Sequence, residues 1–422
     1  MSIRIGIVSS ILHPKYGGPA AVVRSHVRVL SDHARVRVLG VAREDEGDAI
    51  RRDFRDAELC AGTFPRRWSA ARGLQQALQR LAYESDVLHV HMVWDYAVWA
   101  AAHAVRRAGK PLIITPHGSV SEPRRYDALH KRIYRRLFLG EVLRNTTYVH
   151  ALTARERDGC EAFGIAAPTR VIPNGVPAAD FDLGRDAASA EQAWPQIRGR
   201  RIMLYLGRLW SEKGLDLLPD VWAAASTLQP EANWLLVIAG PDYRDYRRVL
   251  EQRIAALGIG SRVTLLGPVT GSVKDSLLAA AECLILPSHG EAFSVAIVEA
   301  MAAGLPVIYT DACNFPELAA AGGGWEVPAA LAPLTAALVS VLRADRCTLA
   351  SAGERGRLLG RRRYTLESVG QELMTMYHDA IRADHANGRL HREHARPGQD
   401  RKAWSGAGAG SVVATTGGGT SP

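Results

Sequence analysis

The fold is decided by residues 3–30, IRIGIVSSILHPKYGGPAAVVRSHVRVL. A short β-branched run opens this stretch, a loop with Gly17 and Gly18 follows, and a run with helical spacing of apolar residues ends it. This order is typical of a β-strand, a loop and a helix that packs back on the sheet. We therefore predict that the chain starts with a buried strand of a parallel sheet and not with a signal peptide.

The same alternation recurs along the chain. In the first half, strand-like runs at 86–94 and 111–118 each precede a helical pattern, and after the Asn174-Gly175 turn the rhythm restarts. Five further strand candidates lie at 201–209, 234–240, 262–267, 283–288 and 305–311. Strands alternating with helices favour parallel sheets covered on both faces. We expect two Rossmann-like, doubly wound α/β domains that face a central cleft.

The linker and the tail are placed where the periodicity stops. Residues 179–198 are rich in Ala and Asp without a clear period, and residues 386–422 lack apolar periodicity. We predict an N-terminal domain at 1–178, a linker at 179–198, a C-terminal domain at 199–365, a helix at 366–385 that packs back on the N-terminal domain, and a disordered tail at 386–422.

Composition excludes several classes of protein. The 422 residues are 47% hydrophobic and 23% charged, an ordinary globular mix, which excludes a short toxin and a globally disordered chain. The five cysteines are widely spread and never form Cys-x-x-Cys, so neither a disulfide framework nor a cysteine zinc site is indicated. No uninterrupted apolar run reaches the roughly 18 residues of a membrane span. We expect a cytoplasmic protein.

The positive charge is concentrated in the first half. Residues 1–180 hold 27 lysines and arginines against 18 aspartates and glutamates, which accounts for the whole net charge of +9. Six cations fall around one helix-like stretch: Arg124, Arg125, Lys131, Arg132, Arg135 and Arg136. They indicate either an anionic partner, such as a membrane surface or a lipid diphosphate, or a solvated helix face. No nucleic-acid module accompanies the charge, so we do not expect nucleic acid.

A candidate phosphate site lies in PSHGEAFSVAIVEAMAAGLPVI, residues 287–308. A strand ends in a turn with Glu291 and Ala292, and a helix is predicted to start near Ser294. The N–H groups of Phe293, Ser294 and Val295 would then point to an anion at the positive end of the helix dipole. Glu299 could accept hydrogen bonds from ribose hydroxyls. Alternatively, Glu291 and Glu299 are acids favoured by the same dipole.

Three further segments place polar groups or close backbone after strands. Arg208 and Lys213 flank a loop in YLGRLWSEKG (205–214), and an isolated pair of cations at such a place is usually surface charge. Gly17 and Gly18 allow backbone to approach a ligand. His117 ends a strand before a glycine, which places it at the rim of the cleft.

Other polar patterns are assigned to structure. His89 and His91 share one face of a strand without a third metal ligand, so we assign them to packing. Thr153 and Glu156 form Thr-x-x-Glu, a helix capping box to which no chemistry is assigned. Asp180-Phe-Asp182 follows no buried strand and is rejected as a metal site.

Seven motifs resemble those of the retaining family 4 glycosyltransferases and occur in the same order. They are GGPA (17–20), TPHG (115–118), TARE (153–156), IPNGV (172–176), YLGRLWSEKG (205–214), VIAGP (237–241) and the Glu-x7-Glu of EAFSVAIVE. The similarity spans roughly residues 3–380 and implies the GT-B fold. It implies that Arg208 and Lys213 grip the donor diphosphate in place of a metal ion, that no cofactor is needed, and that His117 and Glu291 contact the transferred sugar. The loop of Gly17 and Gly18 would reach toward the donor phosphate and the acceptor, and His91 is a candidate for the acceptor pocket.

The activity implied by the resemblance is retaining transfer of a hexose from a GDP- or UDP-sugar to a glycan or lipid-linked acceptor, in bacterial polysaccharide, lipopolysaccharide or glycolipid synthesis at the inner face of a membrane. Ala292 and Ser294 depart from the family's commonest residues, which leaves the sugar undetermined. A sugar-nucleotide epimerase of the same fold and a non-catalytic protein that binds anionic polymers stay open. A glycoside hydrolase is disfavoured because Glu291 and Glu299 lie on one side of the predicted phosphate site.

Overall fold

The structure, a computed structural model, describes residues 2–63, 70–120, 129–184 and 186–394. It contains two parallel sheets. The first has seven strands in the order β3-β2-β1-β4-β5-β6-β7, and the second has six in the order β10-β9-β8-β11-β12-β13. In both sheets the strand order reverses beside the first strand of the domain, as in doubly wound folds, and loops at the carboxyl ends there form the ligand crevice. The two α/β domains predicted from the sequence are confirmed.

The N-terminal domain alternates strands and helices from the first strand onward. Its strands are β1 Arg4–Ser9, β2 Arg35–Ala42, β3 Glu58–Ala61, β4 Val87–His91, β5 Leu112–Thr115, β6 Thr146–Ala151 and β7 Thr169–Val171. Its helices are α1 Gly18–Ser31, α2 Gly47–Asp53, α3 Leu74–Glu84, α4 Tyr96–Ala108, α5 Leu129–Tyr134, α6 Gly140–Asn145 and α7 Ala154–Ala162. A π-helical turn, Arg135–Leu139, joins α5 to α6.

The C-terminal domain repeats the alternation, and its first five strands fall within the five candidate runs. The strands are β8 Arg201–Leu206, β9 Trp234–Ala239, β10 Val263–Gly267, β11 Cys283–Leu286, β12 Val307–Thr310 and β13 Gly324–Val327. The helices are α8 Ala188–Ala193, α9 Leu218–Leu228, α10 Tyr246–Ala256, α11 Gly271–Ala280, α12 Val295–Ala302, α13 Pro316–Ala320, α14 Leu331–Arg343, α15 Arg346–Arg363 and α16 Leu366–His394.

The last helix, α16, packs on the N-terminal domain. It buries Val369, Leu373, Met376, Tyr377 and Ala380 in the same core as α1 and β1. Their helical spacing makes one continuous apolar stripe. The chain therefore crosses between the domains twice.

The two crossing segments are hydrogen-bonded to each other. Val176 N–H donates to Tyr364 C=O at 3.0 Å, and Leu366 N–H donates to Val176 C=O at 2.8 Å. This short parallel bridge fixes where the carboxyl ends of the two sheets meet.

Two of the predicted segments differ in the structure. Residues 179–198 are not a free linker, because Phe181, Ala190 and Ile197 are buried in the C-terminal core and short helices form at Ala178–Phe181, Ala188–Ala193 and Pro195–Ile197. Helix α16 also continues to His394, so the start of the predicted tail is helical. Helix formers such as Leu390, Arg392 and Glu393 extend the backbone hydrogen bonding of α16. Residues 395–422 lie outside the described part of the chain.

The N-terminal core contains a cluster of four buried histidines, His26, His89, His91 and His150. His89 is hydrogen-bonded to Tyr377 at 2.8 Å through Nδ1 and to Thr115 at 2.6 Å through Nε2. His150 is hydrogen-bonded to the same threonine at 2.9 Å. Neither ring nitrogen of His26 has a hydrogen-bond partner among the described residues. The packing role assigned to His89 and His91 agrees with this burial.

Burial is the main cause of lowered pKa values throughout this cluster, and the neighbouring imidazoles add to it in most of its members. The pKa values of His26, His89 and His91 lie well below the ordinary value, and burial lowers the pKa of His150 to about 4. All four imidazoles are therefore neutral in the folded protein at pH 7.

We expect the free energy of unfolding to fall as the pH is lowered from 7 to 5. The unfolded histidines protonate around pH 6.5 while the folded ones stay neutral, so unfolding takes up protons, and each contributes up to about 1.4 kcal/mol per pH unit. The pKa values of buried Asp95 and Glu156 are raised, so their protonation on acidification favours the folded state. These two groups are fewer than the four histidines. Guanidinium unfolding followed by tryptophan fluorescence at pH 5–8 measures the slope.

His26→Leu provides the matched control. It removes a buried imidazole that has no hydrogen-bond partner among the described residues, so we expect unchanged or higher stability at pH 8 and a shallower pH dependence. Equal slopes for the variant and the wild type would show that this imidazole does not cause the acid sensitivity.

Candidate active site in the interdomain cleft

A cleft lies between the domains, at the carboxyl ends of both sheets. Its cavity has a volume of about 520 Å³. The structure brings together there ten of the predicted site residues: Gly17, Gly18, His117, Arg208, Lys213, Glu291, Ala292, Phe293, Ser294 and Val295. They lie in the loops that follow β1, β5, β8 and β11 or at the start of the next helix; β8 and β11 are adjacent strands, whereas β4 lies between β1 and β5.

Glu291 and Lys213 form an ion pair in this cleft. Lys213 Nζ lies 2.6 Å from both carboxylate oxygens of Glu291, and Ser288 Oγ donates to Oε1 at 2.9 Å. The backbone of Glu291 is held as well, because its N–H donates to Ala312 C=O at 3.1 Å and its C=O accepts from the Asn314 amide at 2.8 Å. The carboxylate is therefore fixed in orientation. The sequence had not predicted that the two residues contact each other.

Arg208 reaches across the cleft to the N-terminal domain. Gly17 has φ of 69°, and a Cβ at this position would lie only 2.5 Å from Arg208 Nη2. A glycine is required here because any side chain would both strain the backbone and displace the guanidinium. Arg208 also lies over the ring of Tyr243, 5.2 Å from its centroid. The guanidinium is thus placed where the two domains meet.

The start of α12 supplies backbone donors to the same cavity. The helix begins at Val295 with Ser294 as N-cap, as the sequence predicts, and no side chain caps it. Its first N–H groups are therefore able to receive an anion. Glu299 does not line the cavity; it lies further along the helix and accepts from Lys274 Nζ at 2.7 Å.

His117 lies deeper than the cleft rim predicted for it. Its side chain lines the cavity but is only 9% exposed, and Nε2 is hydrogen-bonded to His91 Nδ1 at 2.9 Å. The two rings stack with centroids 5.2 Å apart, and burial lowers the pKa of His117 to about 3. His117 is a neutral hydrogen-bonding group at pH 7. His91, a candidate for the acceptor pocket, is fully buried beneath it and does not line the cavity.

Glu156 was missed as a site-related residue. Thr153 Oγ1 accepts from Glu156 N–H at 3.1 Å, which confirms the helix cap. The carboxylate of Glu156, however, accepts from the N–H groups of Gly118 and Leu152 and does not return to the cap residue. The Thr-x-x-Glu pattern does not indicate which groups the Glu156 carboxylate contacts, because those contacts depend on how β5 and β6 lie side by side.

The described part of the basic stretch does not line the cleft. Arg124 and Arg125 fall outside the described residues, while Arg132, Arg135 and Arg136 are exposed and Lys131 Nζ lies 5.2 Å from the centroid of the Trp94 ring. None of these four described cations lines the cavity. Over the described ranges, no helix is long and apolar enough to cross a membrane, and no group of three or more His, Cys, Asp or Glu side chains could hold a metal ion.

Comparisons with known proteins agree with this architecture. The family model "Glycosyl transferases group 1" matches residues 188–357, and "Glycosyl transferase 4-like domain" matches residues 17–175. The chain is 27% identical to the GDP-mannose:cellobiosyl-diphosphopolyprenol alpha-mannosyltransferase of Xanthomonas campestris, over 74% of this chain and 79% of the relative. It is 28% identical to the phosphatidyl-myo-inositol mannosyltransferase of Mycobacterium leprae, over 69% and 73%.

Solved structures show the same fold. HepE of Anabaena in complex with UDP superposes with a TM-score of 0.75 at 20% identity, covering 89% of this chain and all of that one. The sucrose-phosphate synthase of Thermosynechococcus elongatus gives a TM-score of 0.71 at 19% identity, covering 90% of this chain and all of that one. Two domain models in the right order, mannosyltransferase relatives across most of the chain and two GT-B structural neighbours agree: the chain belongs to the glycosyl transferases group 1 family and is a glycosyltransferase of the GT-B fold.

Proposed function

We propose that the protein is a retaining glycosyltransferase that moves a hexose from a GDP- or UDP-sugar to a glycan or lipid-linked acceptor in bacterial polysaccharide, lipopolysaccharide or glycolipid synthesis. One observation carries this proposal. The cleft places two cations, a paired carboxylate and an uncapped helix start of one domain against the Gly17 loop and His117 of the other. The relatives include a GDP-mannose-dependent mannosyltransferase, which supports a nucleotide-sugar donor.

In this proposal the C-terminal domain binds the donor. The leaving nucleoside diphosphate gains negative charge as the glycosidic bond breaks, and fixed cations stabilise that charge. Arg208 and Lys213 would take this role in place of a metal ion, with the N–H groups at the start of α12 receiving a phosphate oxygen. Glu299 would then face the ribose after exchanging its contact with Lys274.

The sugar would lie between Glu291 and His117. Glu291 would accept hydrogen bonds from sugar hydroxyls, and the neutral imidazole of His117 would hydrogen-bond the sugar from the N-terminal side. The bond from the anomeric carbon to the phosphate breaks, the acceptor hydroxyl adds on the same face, and its proton passes to the departing phosphate oxygen. Closure of the cleft would exclude water, which would otherwise hydrolyse the donor.

A membrane surface is the second partner that we propose. Leu129, Ile133 and Leu137 recur at intervals of four residues and are 71%, 40% and 64% exposed. Exposed cations at 132, 135 and 136 lie among them. Apolar side chains among arginines are typical of a helix that lies on an anionic membrane, where each cation near the surface adds about 1 kcal/mol. The protein would then act peripherally at the cytoplasmic face, near a lipid-linked acceptor.

We expect Arg208→Ala and Lys213→Ala each to lower kcat/KM by at least about 100-fold. Each removes a cation whose attraction to the diphosphate is stronger in the transition state than in the bound donor. GDP- and UDP-hexoses are first screened by calorimetry, and turnover is then followed with the donor that binds, with NMR of the product to assign the anomer. Arg248→Ala, which removes an exposed arginine of α10, is the matched control and should behave as wild type. Wild-type kcat/KM in the Arg208 and Lys213 variants, or a product of inverted anomeric configuration, would contradict the proposal.

Gly17→Ala tests the contact between the domains. The added methyl group would displace the Arg208 guanidinium and strain a backbone with φ of 69°, so we expect donor affinity to fall by about tenfold or more. Gly18→Ala meets no atom within 4 Å and should cause a much smaller loss. Equal losses for the two variants, measured by calorimetry, would show that the displaced guanidinium is not the cause.

The membrane partner is tested by replacing Leu129, Ile133 and Leu137 together with serine. We expect co-sedimentation with phosphatidylglycerol vesicles to fall several-fold, because the apolar contact is lost while the arginines stay. Leu228→Ser, an exposed leucine at the end of α9 in the other domain, is the matched control. Undiminished sedimentation of the triple variant would leave the stripe as an ordinary solvated helix face.

A further inference from the structure

The turn that carries His117 has an unusual backbone. His117 has φ of 53° and Gly118 has φ of 72°, so two consecutive residues adopt the left-handed region. For a residue with a side chain this conformation costs about 1–2 kcal/mol, and it persists only where surrounding contacts hold it. Contacts with neighbouring residues must therefore hold the turn in this conformation.

The same turn touches the catalytic loop of the other domain. A Cβ on Gly118 would lie 2.8 Å from the Cβ of Ala292, the residue after Glu291. The backbone of the turn thus packs directly against the loop that carries the paired carboxylate. A small shift of the turn would change the position of His117 relative to that loop.

The support comes from Glu156, whose side chain is buried on α7. One carboxylate oxygen accepts from Gly118 N–H, and the other accepts from Leu152 N–H at 2.7 Å. The carboxylate therefore ties the turn after β5 to the residue that follows β6. Helix α7 does not need it, because Thr153 already caps the helix. Glu156 does not line the cavity, so it cannot touch a substrate there.

No cation among the described residues pairs with this carboxylate. Burial raises the pKa of Glu156 to about 7, although its two backbone hydrogen bonds act in the opposite direction. Cys160 lies on the same helix, where burial raises the pKa of its thiol to about 12, and His117 in the turn is neutral. Burying a carboxylate without a counter-ion is costly, and the two N–H groups are what it gains in return.

We propose that Glu156 is a positioning residue for sugar transfer: its carboxylate holds the His117–Gly118 turn in the left-handed conformation that presents the imidazole to the sugar and packs against the Glu291 loop. This inference rests on the proposed function. Protonation would convert one carboxylate oxygen into a hydroxyl, a weaker acceptor, and would remove the negative charge that strengthens both hydrogen bonds to backbone N–H groups, so the turn loosens. Turnover therefore rises with pH as Glu156 ionises around neutrality, while the donor site in the other domain is unaffected.

Glu156→Gln tests the role directly. The amide keeps the size of the side chain but offers one acceptor where two N–H groups need one each. We expect kcat to fall at least tenfold, donor Kd to change less than threefold, and the rise of kcat between pH 6 and 8 to disappear. Thr153→Ala is the matched control, because it weakens the same helix without touching the turn. It should lower the thermal unfolding midpoint and keep the wild-type kcat and pH profile.

A second measurement needs neither a variant nor turnover. In wild-type protein labelled with 15N-glycine, the Gly118 amide should titrate around pH 7 without substrate, because its hydrogen-bond acceptor changes charge. An unchanged kcat and pH profile in Glu156→Gln, or a Gly118 amide that does not titrate between pH 5.5 and 8.5, would overturn the proposal. If the wild type transfers no sugar from any nucleotide donor, the proposed function fails, whereas the Gly118 titration still decides whether Glu156 controls the turn.

Discussion

The arrangement of the site depends on the short backbone bridge between the two segments that cross from one domain to the other. Val176 is bonded on both sides to the returning chain, and α16 then anchors that chain in the core of the N-terminal domain. Parallel sheets bury both faces, so the loops at their carboxyl ends are the part of each domain that stays accessible. Because the bridge holds these two edges opposite each other, residues more than 190 positions apart, Gly17 and Arg208, come into contact.

The Lys213–Glu291 pair gives this edge a second property. In the proposed function, a carboxylate beside the diphosphate would by itself repel it, but the bonded lysine offsets its charge and Ser288 fixes its orientation. An incoming diphosphate would compete with Glu291 for Lys213. The carboxylate would then be released to accept from sugar hydroxyls at the moment when the diphosphate is held. Donor binding and orientation of the sugar would in this way be linked through one lysine.

The sequence predicts the local parts of this picture well. Periodicity places the first strands and the start of α12, and the positions after strands place Arg208, Lys213 and Glu291 in one cleft. What it cannot give are contacts set by tertiary geometry. Phe181 and Ile197 look like linker residues because their apolar partners lie elsewhere in the chain. His117 is buried deeper than predicted because His91 lies on the neighbouring strand.

The histidine cluster connects α16 to the strand that precedes the His117–Gly118 turn. Tyr377 on α16 is bonded to His89, and His89 is bonded to Thr115, the last residue of β5. His117 follows two residues later and rests on His91. The helix that closes the bridge between the domains is therefore also bonded, through neutral imidazoles, to the strand that ends in the site. Protonation of these imidazoles would place charge in the apolar core and weaken the hydrogen bonds that join α16 to β5. Protonation of Glu156 would weaken only the hydrogen bonds that hold the His117–Gly118 turn. Acid would thus act on this half of the site by two separate routes, one through folding and one through the position of a single turn.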